Sequence, residues 1–375
     1  MPDDPDGPNS HPNDRNPPFA EQRILVLHNA DFGEQPDGDE SYESRADVAN
    51  QAHDVARALV TRGHFVDVVG IDRDELPSLM ERLRTDPPDL VFNLVESLAM
   101  QDENCVAATA ILELFGIPFT GSGTLAMSLS CDKQRSKHLL RGDGIPTPRA
   151  AVVEPQFRSR ISDLNAVAAV GYPAIVKLLS EHGSQGLSFD SVVYDEESLI
   201  RQLRVMRDYF PGRRILVEQY IDGRELNVGL LGDRLLPVCE IDLSAIPTGK
   251  PRIVTYTGKW RPESEEYRMM PSSKVAVGLS AALTERIQQV AQRSFSALGV
   301  TDYGRVDIRL SQDGIPYVLE VNPNCDISDG AGLSRAALAA GIPYDALIEQ
   351  VAYSARQRFS GGITPPTEKK RATGS

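Results

Sequence analysis

Two carboxylates, an amide and a guanidinium stand at spacings that would gather them on one face of a β-hairpin. The stretch "YGRVDIRLSQDGIPYVLEVNPNC" alternates apolar and polar residues on both sides of Asp313-Gly314, a dipeptide suited to a tight hairpin turn. If the turn centres on that pair, Asp307 faces Glu320 and Arg305 faces Asn322. A side-chain period of two puts all four on one side. Facing carboxylates about 5 Å apart at Cβ repel unless a cation bridges them. With the Asn322 amide oxygen they make a hard oxygen set suited to Mg²⁺, whose other positions go to water and substrate phosphates. Arg305 beside them suits an anion clamp. The plainer alternative is a hydrogen-bonded acid at the end of a buried strand. Pro316, which cannot donate to the ladder, loosens the register argument slightly.

Four further stretches carry candidate chemistry. Lys177 sits inside the apolar run "YPAIVKLLS", where a lysine needs a partner such as a phosphate unless it snorkels from an edge strand. "HGSQG" (182–186) offers small residues and backbone N–H groups that could fold over phosphates, or is a flexible hairpin tip. In "VEQYIDGRELNVGLL", backbone after Glu218 could meet a purine edge and Glu225 could accept from ribose hydroxyls. The alternative there is a plain hairpin turning at Asp222-Gly223. "SCDKQRSKHLL" places Lys133 near a helix start and Lys137 one turn on, a pattern that reads as a solvated helix face. Cys131 and Cys325 have no histidine partner at a telling spacing and read as packing residues. The "GSG" at 121–123 reads as a turn.

These residues need a scaffold, and the chain predicts one. Strands at 23–30, 65–71 and 89–95 alternate with helices around 44–63 and 103–116, which predicts a small parallel sheet with helices on both faces. The first turn holds no GxGxxG, so a dinucleotide site is not expected. From Pro148 onward strands and helices alternate differently, with helices over 196–210, 275–298 and 344–359 and an irregular polar loop through "TYTGKWRPESEEYRMMP". The expected division is a disordered tail (1–20), an α/β domain (21–120), a linker and central lobe (121–212), a C-terminal lobe (213–358) and a second disordered tail (359–375). A length of 375 residues with 41% hydrophobic and 25% charged residues is ordinary for a globular enzyme. The net charge of −14 argues against nucleic acid or an anionic membrane as the main partner. Four cysteines without a CxxC, no signal peptide and no apolar run of about 20 residues predict a soluble cytoplasmic protein.

Taken in order, the motifs resemble the ATP-grasp ligases, most closely the D-alanine–D-alanine ligase branch. The match runs from about residue 91 to 352, through "GIPFTGSGTLAMSLSCDKQRSKHLLRGDGIPTP", "AIVKLLSEHGSQGLS", "VEQYIDGREL" and "GRVDIRL…YVLEVNPN". The resemblance implies an ATP-grasp fold of α/β and α+β class: a pre-ATP-grasp domain, then two α+β lobes enclosing ATP. It implies an acid–amino-acid ligase that phosphorylates a carboxylate and passes it to an amine, releasing ADP and phosphate. By the same resemblance, Lys133 and Lys177 would hold the phosphates, and Gly183, Ser184, Gln185 and Gly186 would close over them. Glu218, Gln219, Ile221 and Leu319 would surround the adenine and Glu225 the ribose. Asp307, Glu320 and Asn322 would hold two Mg²⁺, with Mn²⁺ as an alternative. Arg305 and Ser184 would be catalytic. The substrates implied are amino acids or small peptides, and the branch is often dimeric through its N-terminal lobe.

The substrate side departs from that pattern. Glu96 in "VESLAMQDEN" stands where a histidine is expected, Trp260 where a loop tyrosine is expected, and Ala331 where a serine would grip the acceptor carboxylate. Glu43 and Asp47 both remain candidates for the acid that holds the first substrate's amine. An altered substrate is therefore expected, because unpaired polar groups penalise the wrong ligand.

Overall fold

The computed structural model describes residues 21–32, 42–155, 165–180, 183–270 and 273–360, apart from the side chains of 43–45 and 165. The tail expected at 1–20, residues 361–375 of the tail expected from 359, the Glu43 carboxylate and His182 lie outside those described residues.

Three parallel strands open the chain: β1 (Arg23–Asn29), β2 (Phe65–Ile71) and β3 (Leu90–Leu94), in the order β2-β1-β3. Between them lie α1 (Tyr42–Thr61) and α2 (Leu76–Thr85), and α3 (Val106–Phe115) follows. The central strand β1 and its neighbour β3 are apolar on both faces and almost wholly buried, as a covered parallel sheet requires. Helix α1 lays Val48, Ala52, Val55 and Leu59 against one face, at helical spacing. Two linker helices follow, α4 (Thr124–Cys131) and α5 (Lys133–Gly142). Asp132 ends one and caps the other, accepting from the Gln134 and Arg135 N–H groups at 3.0 Å each.

A central lobe is built on β4 (Ala150–Val153), β5 (Ala174–Leu178), β6 (Val192–Val193) and β7 (Ile215–Gln219), in the order β4-β7-β5-β6. The short α6 (Asn165–Ala168) and the long α7 (Glu196–Tyr209) pack on it. The C-terminal lobe is a six-stranded sheet of β8 (Gly223–Leu231), β9 (Arg234–Leu235), β10 (Cys239–Ile241), β11 (Lys274–Val275), β12 (Tyr303–Ser311) and β13 (Pro316–Asn322), running β11-β10-β8-β12-β13 with β9 on β8. Helices α8 (Tyr256–Trp260), α9 (Glu265–Met269), α10 (Ala281–Leu298), α11 (Gly332–Ala339) and α12 (Tyr344–Ser360) complete it.

Several expectations are corrected. The Asp222-Gly223 turn is not a hairpin, because β7 and β8 lie in different sheets; it is the crossing between lobes. Strand β7 therefore belongs with the central lobe, and the sheets divide after Gln219 rather than at 212. The expected helix from 275 begins only at Ala281, since Ser280 caps it by accepting from the Leu283 N–H and Gly278 is left-handed at φ 71°. The polar loop expected to be irregular holds α8 and α9, because Thr255 and Ser264 each cap a helical turn. Helix α12 continues to Ser360, past the expected start of the tail.

Candidate active site

The hairpin brings its four polar residues together, by a route different from the expected one. Ser311 pairs with Ile315 around a three-residue loop in which Gly314 is left-handed at φ 74°. That pairing alone would misalign Asp307 and Glu320. A β-bulge at Leu319 inserts one extra residue, and the register beyond it is Asp307 opposite Glu320 and Arg305 opposite Asn322. On the other side β8 sets Asn227 opposite Asp307 and Glu225 opposite Arg309.

Charge in this face is closely balanced. Arg305 grips Asp307 through both oxygens, Nε at 2.7 Å and Nη2 at 2.8 Å. Asn322 donates through Nδ2 to Asp307 Oδ2 at 3.0 Å and to Glu320 Oε1 at 3.4 Å, so the amide bridges the carboxylates. Glu320 also faces the Lys133 ammonium at 3.7 Å. Burial pushes the Asp307 carboxyl up, Arg305 opposes that shift, and the neighbouring Glu320 adds to it. Among the described residues no three His, Cys, Asp or Glu side chains converge as a metal site. The donor set here is two carboxylates and an amide, and it fits a divalent cation. Rotating the Asn322 amide about its last bond would aim Oδ1 at the point between the two acids, and a cation there would relieve the strain on Asp307.

A second cluster lies behind this face. Glu218, 1% exposed, is ion-paired to both Lys177 (2.5 Å) and Lys137. Burial alone would raise the Glu218 carboxyl; the two lysines more than reverse that and hold it below its ordinary value. The expected solvated face at Lys137 is corrected: this lysine is fully enclosed. Its Nζ also donates to Leu319 O at 2.6 Å and to Thr147 Oγ1 at 3.3 Å. Burial lowers its pKa to about 8, although Glu218 opposes the shift.

The front of the face opens into a cleft of about 650 Å³. Its walls include Arg305, Asp307, Glu320 and Asn322 at the floor, Glu225 on β8, and Gly183, Ser184 and Gln185 overhead. Trp260 on α8 donates its indole N–H to Gly183 O at 2.8 Å, which ties the C-terminal lobe to the central-lobe loop. Gly183, Ser184 and Gly186 are all left-handed, and such a conformation is costly at a serine. Glu225 faces the cleft but is held by Arg309 at 2.7 Å, and burial pushes its carboxyl up. Asp47 and Glu96 line the far end, where Glu96 accepts from Gln51 Nε2 at 3.5 Å. Burial and the facing Asp326 push the Asp47 carboxyl up. Lys177, Glu218, Gln219, Ile221 and Leu319 are not part of this cleft wall; they lie along the junction of the two sheets behind it. Three residues of the site were not singled out in the sequence: Asn227 and Lys259, each inside a quoted stretch, and Asp326, directly after one.

Two antiparallel sheets meeting over paired acids and buried lysines, with a loop folded across the opening, define an ATP-grasp ligase. The chain belongs to the D-alanine–D-alanine ligase family: the family model described as D-ala D-ala ligase C-terminus matches residues 139–352. The chain is 32% identical over 300 residues to a D-alanine–D-alanine ligase of Gloeobacter violaceus, covering 79% of this chain and 90% of that one. It is 31% identical over 327 residues to one from Pseudomonas putida, covering 87% and 91%. The solved D-alanine–D-alanine ligase of Bacillus anthracis complexed with ATP superposes with a TM-score of 0.69 at 22% identity, over 91% of this chain and 99% of that one, and bears on the fold. The protein is thus an ATP-dependent carbon–nitrogen ligase. No helix among the described residues is long and apolar enough to cross a membrane.

Proposed function

We propose that the protein joins two amino acids, or an amino acid and a small peptide, through an acyl phosphate. The γ-phosphoryl of ATP passes to the carboxylate of the first substrate, leaving ADP. The amine of the second substrate then attacks the acyl carbon, the C–O bond to phosphate breaks, and an amide and inorganic phosphate remain. The observation that carries this reading is the pair Asp307 and Glu320, set opposite one another by the bulged hairpin at the floor of the cleft.

In this reading Asp307, Glu320 and Asn322 hold two divalent cations, Mg²⁺ in the first place. When bound, these neutralise charge on the phosphoryl group being transferred. Lys133 and Lys177 hold ATP phosphates, Ser184 and its neighbours in the Gly183–Gly186 loop cover them and exclude water, and Trp260 latches that loop. Gln219, Ile221 and Leu319 frame the adenine at the crossing between sheets, and Glu225 takes the ribose. Glu218, buried away from the opening, acts through Lys177. Arg305 faces the developing oxyanion of the tetrahedral intermediate.

At the far end Asp47 and Asp326 repel one another, so a substrate ammonium between them would be bound favourably. Asp47 is therefore favoured over Glu43 as the amine-holding acid, with Glu96 nearby. A second reading, D-alanine–D-alanine ligation itself, is favoured by the names of the relatives.

The test is phosphate release from Mg-ATP against D- and L-amino acids and dipeptides, with products identified by mass. Release that needs two amino components and yields an amide establishes the reading, and D-alanine sufficing alone establishes the second. ATP binding without release for any pair would overturn both and leave a nucleotide-binding regulator.

A further inference from the structure

Lys137 has no assigned part in the reaction, yet it is the most enclosed lysine of the described chain that bears on it, 1% exposed and bonded on three sides. Its partners come from three places. Glu218 is on β7 of the central lobe, Leu319 O is at the bulge of β13 in the C-terminal lobe, and Thr147 is in the linker, itself donating to Val318 O at 2.8 Å. One ammonium thus spans the junction behind the site. It touches the carboxylate that holds Lys177 and the bulge that sets the position of Glu320.

We propose that Lys137 is a positioning residue of the nucleotide site, fixing Lys177 through Glu218 and Glu320 through the Leu319 carbonyl. The charge count supports this. Two lysines share one carboxylate, which leaves one positive charge of the cluster for a ligand. Without Lys137, Lys177 and Glu218 form a neutral buried pair, and the lysine charge no longer reaches outward. The Leu319 carbonyl also loses its partner, and a bulge kept open by that bond can relax toward regular pairing, which would turn Glu320 from its place opposite Asp307.

The inference rests on the reading that Lys177 contacts ATP phosphates, and one set of calorimetric titrations separates the two. Mg-ATP, Mg-ADP and adenosine are titrated into wild type, Lys177→Met, Lys137→Met and the double variant Lys137→Met/Glu218→Gln. Lys137→Met is expected to weaken ATP and ADP binding by about tenfold or more, the scale for losing one partner of a buried charged pair, with adenosine binding nearly unchanged. The double variant frees the Lys177 charge but restores neither the bond to Leu319 O nor the hold of Glu218 on Lys177, so it is expected to recover only part of the ATP affinity lost in Lys137→Met. If Lys137→Met does not fold, Lys137→Gln, which removes the charge but keeps a donor for Leu319 O, is expected to weaken ATP and ADP binding in the same direction but by less, with adenosine again nearly unchanged. Equal loss of ATP and adenosine affinity in Lys137→Met would mean that Lys137 is scaffold only, and full recovery in the double variant would mean that charge and not position is at work; either result would overturn the inference. An unchanged ATP affinity in Lys177→Met would instead sink the phosphate reading beneath it.

Discussion

Arg305 holding Asp307, and Asn322 bridging Asp307 to Glu320, is an arrangement in which each charge is neutralised by protein alone. Such a site can exchange an amide proton contact for a cation. Asp307→Asn and Glu320→Gln keep the shape and remove the charge, so turnover is expected to fall at least about 100-fold. ATP affinity should fall much less and lose its dependence on Mg²⁺; calorimetry with and without the cation checks this. Glu218 makes a pH-dependent prediction. Its folded pKa lies below the ordinary 4.5, because Lys137 and Lys177 outweigh burial. The stability it contributes is then complete above pH 4.5 and is lost as pH falls through the depressed folded value. Glu218→Gln should cost about 3–5 kcal/mol near neutrality, and its gap from wild type in thermal unfolding should narrow only below pH 4.5. The sequence disclosed acids on a strand and a lysine in an apolar run, because both violate the hydrophobic pattern. Lys137 was hidden, since a lysine one turn after Lys133 on a polar helix breaks no pattern; its burial comes only from the sheet junction that α5 lies against.

At the scale of elements, the hairpin shows how a register can be read correctly from a wrong turn. The loop is one residue longer than Asp313-Gly314 suggests, and the bulge at Leu319 compensates. A bulge of this kind has no residue signature, whereas the alternation that fixes the faces is plain. The lobe crossing stays open between two readings in the sequence for a similar reason, because Asp222-Gly223 serves a change of sheet as readily as a hairpin. Gly223 is required there: a Cβ would overlap the Leu310 carbonyl of the neighbouring strand. Gly223→Ala is expected to destabilise by about 1–3 kcal/mol, measured by denaturant unfolding. The latch between α8 and the Gly183 loop can be followed directly, since Trp260 is the single tryptophan of the chain. Mg-ATP should shift its emission. Trp260→Phe, losing one hydrogen bond worth about 1 kcal/mol, should raise the ATP dissociation constant about fivefold.

Across the whole molecule the cores are unequally joined. The first sheet shares one hydrophobic cluster with the C-terminal lobe: Ile24, Val26 and Phe92 pack with Ile327, Leu347 and Val351. Arg358 on α12 reinforces that union, bonding Asp302, Phe119 O and Gly121 O. The central lobe has a cluster of its own, from Ala151 to Val217. It meets the rest mainly through polar ties, among them Lys137 to Glu218, Trp260 to Gly183 and Arg214 to Glu103 at 3.2 Å, with one small apolar contact of Phe189 against Leu243, Ile246 and Met270. A shared apolar core resists opening more than a few polar bonds do, so the central lobe is the part expected to open first. Nucleotide bound between the lobes adds contacts only to the closed form and shifts the population toward it. Amide hydrogen exchange therefore should find β4–β7 exchanging faster than β1, β3 and α12 in the free protein. With saturating Mg-ATP the protection of β5 and β7 should rise, while that of β1 and β3 stays as it was. Uniform exchange across the three sheets without nucleotide would mean that these few ties weld the lobes, and that closure is not how this cleft excludes water.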